Sequence, residues 1–299
     1  MELLRVIEGI SSPFLDTVIG LITRLGEETV GIVILCAIFW CINKRVAYRI
    51  GIAFFLSGLA VQGMKICFRI ERPWIADPGL KPVPSAIENA TGYSFPSGHA
   101  QSAAALFGSL GVQIKQKPIK TLCFAAALLV AFSRVYLGVH TPLDVITSLL
   151  ISLLIVLLTV KFFTFDTVRM KRELIISLTM ILLASVVIVI ALALYSSAVI
   201  EQHYVADCLK AAGAGVGFAA GMFIERVYID FQEKTGNILW QIVKFILGFA
   251  GVLAIKEGLK LVIGTGLAAD MIRYFIMLVW ITALFPLIIK RFFEVKTED

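Results

Sequence analysis

The chain has 299 residues, of which 59% are hydrophobic and only 16% charged, with a mean hydropathy of +0.91; soluble domains carry about 25% charged residues. That composition excludes a water-soluble globular domain, and apolar runs that are continuous rather than alternating favour membrane-spanning helices over a barrel. The net charge of +6 fits loops that face anionic lipid and gives no reason to invoke nucleic acid.

In chain order, residues 3–24 are apolar but carry Arg5, Glu8, Asp16 and Arg24, which predicts an interfacial or re-entrant helix. No basic start, unbroken apolar core and small-residue cleavage site follow one another there, so no removable signal peptide is expected. Spans are expected near 28–43, 50–68, 99–114, 121–137, 144–162, 174–196, 207–225, 237–256 and 270–289: an all-α polytopic bundle of about nine spans, with a tenth open. Loops 43–49, 115–120, 161–173, 225–236 and 290–299 hold 15 Lys and Arg, against 7 in the opposite set. Positive loops stay inside, so the first set is expected to be cytoplasmic and the long 69–98 loop extracytoplasmic. The five cysteines (36, 41, 67, 123 and 208) lack metal-ligand spacing and read as packing residues.

Three polar stretches interrupt the apolar text on the outer side: Lys65-ICFRIE-Arg72-Pro73, Pro96-Ser97-Gly98-His99, and Ser133-Arg134-VYLGV-His140-TPL-Asp144. Singly, each has an ordinary explanation: cations that snorkel, a helix cap, an Arg134–Asp144 ion pair. Together they place three cations, a serine hydroxyl and the amides of a helix N-terminus at one depth, which is an anion cradle. Two of the three histidines lie in it. Asp144 follows His140 by four residues, one turn away if 141–144 is helical, where a carboxylate can fix the imidazole tautomer.

In their order and spacing, these stretches resemble the three signature motifs of the type 2 phosphatidic acid phosphatase family, which is related to vanadium haloperoxidases and glucose-6-phosphatase. Lys65, Arg72, Pro73, Pro96, Ser97, Gly98, His99, Ser133, Arg134, His140 and Asp144 all match; the resemblance covers about 25–165. It implies a phosphomonoesterase or diphosphatase that works through a phosphohistidine without a metal or other cofactor. His140 would be the nucleophile, Asp144 its orienting partner and His99 the acid for the leaving alkoxide. Lys65, Arg72, Ser97, the Gly98 amide and Arg134 would bind the phosphoryl oxygens. The domains expected are a helix at 1–27, a catalytic core at 28–165 and additional spans at 166–299.

Trp74, Ile75, Leu80, Val83, Ile87, Tyr93 and Phe95 line the 73–95 loop and suit a substrate whose tail stays in the bilayer. A lipid phosphate (an isoprenoid diphosphate, phosphatidylglycerophosphate or phosphatidic acid) is favoured. Phosphotransfer to an alcohol, or a sugar-phosphate substrate, is the alternative. The location expected is a bacterial plasma membrane with the site facing outward; oligomeric state is not encoded in any pattern found. In the C-terminal half, Gly213, Gly217 and Gly221 read as a helix-packing face. His203 with Asp207, and Glu225, Arg226, Lys210 and Lys244, stand as polar residues without a catalytic assignment.

Overall fold

The computed structural model describes residues 1–88, 90–165, 167–234 and 237–293. The end of the expected inner tail, with Lys296, lies outside the described residues. Thirteen helices make up the regular structure among them: α1 (Glu2–Glu8), α2 (Pro13–Arg24), α3 (Glu28–Ile42), α4 (Lys44–Phe68), α5 (Pro73–Ala76), α6 (Pro84–Ile87), α7 (98–113), α8 (Lys117–Tyr136), α9 (Pro142–Phe162), α10 (Met170–Ser196), α11 (Gln202–Ile229), α12 (Ile238–Ile263) and α13 (Leu267–Phe292).

All nine expected spans are helical. Seven of them, α4 and α8 to α13, are long and apolar enough to cross a bilayer, whereas α3 and α7 are shorter. The protein is an integral membrane protein. The N-terminal stretch is two helices rather than one: Ser12 caps α2, Pro13 occupies its first position, and α1 and α2 meet at a 118° bend.

The chain forms two compact units. One comprises Met1–Ile32 with Ile52–Phe163, the other Val33–Gly51 with Thr164–Asp299. The core of the first unit gathers Leu4 and Ile7 of α1, Leu80, Ala86 of α6, Ala100 of α7, Ala131 and Val135 of α8, and Leu137, Val139 and Val145. The loop after α4 is thus a packed part of this unit. Gln101 on α7 donates to Ser57 Oγ (2.8 Å) and to the Phe54 carbonyl (3.2 Å) on α4.

In the second unit, α11 packs on α13 along its glycines. A Cβ at Gly213 or Gly217 would run into the Met271 or Phe275 carbonyl, and one at Gly221 into the Thr282 hydroxyl. Lipid tails are as apolar as leucine, so such close van der Waals approach is what holds membrane helices together. Glu225 and Arg226 are buried and paired: Lys44 reaches Glu225 (3.1 Å) and Asp230 (2.7 Å), and Arg226 reaches Glu173 (3.1 Å) between the Tyr48 and Phe165 rings. Lys210 pairs with Asp207 (3.3 Å), and Lys244 donates to the Glu233 carbonyl (2.7 Å). His203 does not join Asp207; it lies half-exposed beside Glu201 (3.4 Å).

Candidate active site

All eight expected site residues lie in the first unit. Lys65 is near the end of α4, buried, and donates to the Tyr93 carbonyl. Arg72 precedes α5; its Nε donates to the Gly92 carbonyl (2.7 Å), its Nη1 to the Val139 carbonyl (3.0 Å), and its guanidinium lies over Trp74 (5.9 Å). The same Nη1 is 2.8 Å from His140 Nε2. A guanidinium has no acceptor, so Nε2 carries the lone pair and the ring proton sits on Nδ1.

The turn that aims His140 is built locally. Gly138 takes φ +74°, where a Cβ would also meet Pro82 at 3.1 Å. Past it, the Val139 and His140 amides both donate to the Arg134 carbonyl (3.2 Å). His140 itself stands outside α9, so the turn-of-helix relation to Asp144 expected from the spacing does not occur. Thr141 caps α9 instead, and Asp144 is the third residue of a capping box: Asp144 N donates to Thr141 Oγ1 (3.3 Å) and Thr141 N to Asp144 Oδ2 (2.8 Å). That box brings Oδ2 to 3.4 Å from His140 Nδ1, longer than an ordinary hydrogen bond.

Ser97 caps α7, accepting from Ala100 N at 3.5 Å, and its own amide donates to the Asp144 carbonyl (3.2 Å). A Cβ at Gly98 would meet nothing within 4 Å, so its backbone is approachable. His99 Nε2, Arg134 Nε and Arg134 Nη2 are buried with no protein partner. Such atoms are costly unless something polar meets them. The Arg134–Asp144 ion pair is not formed; Arg134 Nη1 donates to Thr23 Oγ1 (2.9 Å). Ser133 bonds back to the Val130 carbonyl (2.6 Å) and stays within α8.

His140 is 1% exposed. Burial, then the charges of Arg72, Arg134 and Lys65, holds its pKa well below 6.5. A neutral imidazole with its Nε2 lone pair beside three cations has the chemistry a nucleophile for an anionic substrate would need. Among the described residues, no group of three or more His, Cys, Asp or Glu comes together that could hold a metal.

Residues 46–168 match the profile of the family described as the PAP2 superfamily, and residues 209–297 that of the PAP2 superfamily phosphatase transmembrane extension. The chain belongs to the PAP2 superfamily. It is therefore a membrane phosphatase, and the second profile accounts for most of α11 to α13. A curated PAP2 relative, undecaprenyl-diphosphatase BcrC of Bacillus subtilis (strain 168), is 28% identical over 169 residues, 54% of this chain and 82% of that one. Aquifex aeolicus LpxE is similar in structure (TM-score 0.48, 27% identity, 54% of this chain and 94% of that one). So is a PAP2 type phosphatidylglycerolphosphate phosphatase from Bacillus subtilis (TM-score 0.45, 25% identity, 53% and 81%).

Two residues of this PAP2 site carry no motif signal. Ser94, fully buried, donates to Asp144 Oδ2 at 2.6 Å, a shorter contact than the one from His140. Thr23 of α2 holds Arg134 from a segment that precedes the matched profile. Gly26, two residues beyond α2, lies against the same centre: a Cβ there would stand 2.9 Å from the His99 carbonyl and 2.6 Å from Val130 Cγ1.

Proposed function

We propose that this protein removes phosphate from a lipid phosphate through a covalent phosphohistidine at His140, with no metal ion. One observation carries the reading: a buried imidazole whose Nε2 lone pair faces the Arg72 guanidinium lies among Lys65, Arg72 and Arg134, and unpartnered nitrogens of His99 and Arg134 belong to the same centre. The phosphoryl oxygens are received by the three cations, by Ser97 and by the Gly98 amide at the start of α7. With the bound phosphate offsetting the Arg72, Arg134 and Lys65 charges so that His99 can hold a second proton, His140 Nε2 forms the N–P bond as the P–O bond to the lipid breaks, and His99 gives that proton to the departing oxygen. Water then attacks phosphorus and gives a proton to His99 as the N–P bond breaks, its electron pair returning to His140 Nε2, and inorganic phosphate leaves. Asp144, fixed by Ser94 and Thr141, keeps the Nδ1 proton facing it. In domain terms, 28–165 is the catalytic core, 1–27 contributes to it, and 166–299 adds spans.

The amphiphilic substrate is supported by the membrane setting of the site and by the curated relative BcrC, whose name carries a lipid substrate, undecaprenyl diphosphate. The site faces the extracytoplasmic side of a bacterial plasma membrane, on the charge asymmetry of 15 against 7.

The two histidines separate the roles. His140→Ala removes the nucleophile and abolishes hydrolysis of every substrate. His99→Ala costs about 10²–10⁴-fold on a lipid phosphate, the usual share of general acid catalysis. The same variant retains far more activity on p-nitrophenyl phosphate, whose leaving group needs no proton. Phosphate release from both substrates by purified variants in detergent measures this, and equal losses for both substrates would overturn the assignment.

A further inference from the structure

We propose that a polar cavity walled by α2, α6 and α8 is a subsite for a hydroxyl-bearing part of the substrate, next to the phosphoryl centre; the proposal rests on the lipid-phosphatase reading above. The cavity measures about 240 Å³, well above the ~30 Å³ that one water occupies, and leaves room for a glycerol-sized group. Asp16, Thr17 and Arg24 line it from α2, Glu27 from just beyond, Ser85 from α6 and Arg134 from α8. Arg134 is 1% exposed, and its Nε and Nη2 have no protein partner. It is therefore common to the cavity and to the cradle around His140.

The lining selects the chemistry of the occupant. A hydrocarbon tail would strip water from Glu27, Arg24 and Arg134, and from the lone pairs that Asp16 keeps beyond those taken by Ser11 (2.8 Å) and Tyr136 (2.9 Å), without replacing their hydrogen bonds. A second phosphate would bring its charge against Asp16 and Glu27. A hydroxyl donates to a carboxylate and accepts from a guanidinium or a threonine, so a polyol satisfies both kinds of wall. The cavity is also tied to the reacting groups. Thr23, on the same helix, bonds Arg134 (2.9 Å), and Gly26 lies against the His99 backbone. Because α2 precedes the segment shared with the superfamily, its wall is free to set a preference that the signature residues do not encode.

Filling the cavity tests this. Gly20 lines it, and a Cβ there meets nothing within 4 Å, so Gly20→Leu adds bulk without a clash at the backbone. Initial rates of the full-length protein in mixed micelles are compared on phosphatidylglycerophosphate, whose leaving group carries a hydroxyl, and on farnesyl monophosphate, whose leaving group carries none. Losing about one hydrogen bond's worth of contact raises KM for the first at least about fivefold. The second stays within about twofold. Ser85→Leu, from the opposite wall, gives the same discrimination and serves as the reading if Gly20→Leu does not run as a single species on size exclusion. Equal changes on both substrates, or none on either, overturn the subsite. A wild-type protein that hydrolyses neither lipid would instead overturn the lipid-phosphatase reading.

Discussion

As the proposed nucleophile, His140 would attack only when neutral, so the direction of its pKa decides the expected pH response. Burial, Arg72, Arg134 and Lys65 all lower that pKa from 6.5, and protonation silences the nucleophile only below the lowered value. The acidic limb of the kcat/KM profile is therefore expected at a midpoint under pH 6.5, and Arg72→Ala, which removes a cation, moves it upward. A midpoint at or above 6.5 in the wild type contradicts the geometry. Thr23 offers a second test at this scale. A hydrogen bond to a charged group contributes about 1.5–3 kcal/mol, so Thr23→Val lowers kcat/KM by roughly 10–100-fold, and Thr23→Ser restores most of it. The motif residues were legible because their side-chain chemistry is out of place in an apolar chain. Thr23 and Ser94 were not. A lone threonine 111 residues from its arginine, or a serine beside two aromatics, leaves no pattern until the backbone brings the partners together.

At the scale of elements, hydropathy located every span but misplaced some ends. Expected to start at 50, α4 starts at Lys44, because its first turn is polar yet helical and Lys44 is buried against Glu225 and Asp230. Helix formation follows backbone hydrogen bonds, and a charged turn is no obstacle when its charge finds a partner. The N-terminal stretch broke in two at Ser12-Pro13, a capping serine followed by a residue suited to a first helical position. The Gly213-Gly217-Gly221 face was readable from its period of four, though not its partner, α13. Gly217→Val sets a branched side chain against the Phe275 carbonyl and forces the helices apart. Such overpacking costs about 1–3 kcal/mol, visible as a lower midpoint of thermal unfolding in detergent, whereas Gly258→Val, where a Cβ meets open space, leaves the midpoint nearly unchanged.

For the molecule as a whole, the decisive question is which face of the membrane the site serves. Glu88, exposed in the loop between α6 and α7, is a suitable reporter. Cys67 is the one exposed native thiol among the described cysteines, and Cys41 is partly so; both are replaced by serine in the test background. Glu88→Cys is then expected to react with a membrane-impermeant maleimide in intact cells. Reaction only after lysis would place the site inside and reverse the topology. The sequence carried the fold class and named the residues that gather at the candidate site, but not the tie between residues 1–27 and them, because nothing in an amphipathic N-terminal helix announces what it packs against.

One carboxylate oxygen, Asp144 Oδ2, receives both Ser94 and the Thr141 amide, with the His140 ring nitrogen 3.4 Å away. In a saturation-mutagenesis screen, position 144 would therefore score like a folding residue, depleting protein from the membrane as well as turnover. Its apparent intolerance would overstate how much chemistry the carboxylate performs. Ser94→Ala frees one lone pair while keeping the start of α9, and it is the substitution through which the carboxylate's part in catalysis becomes separable from its part in the helix.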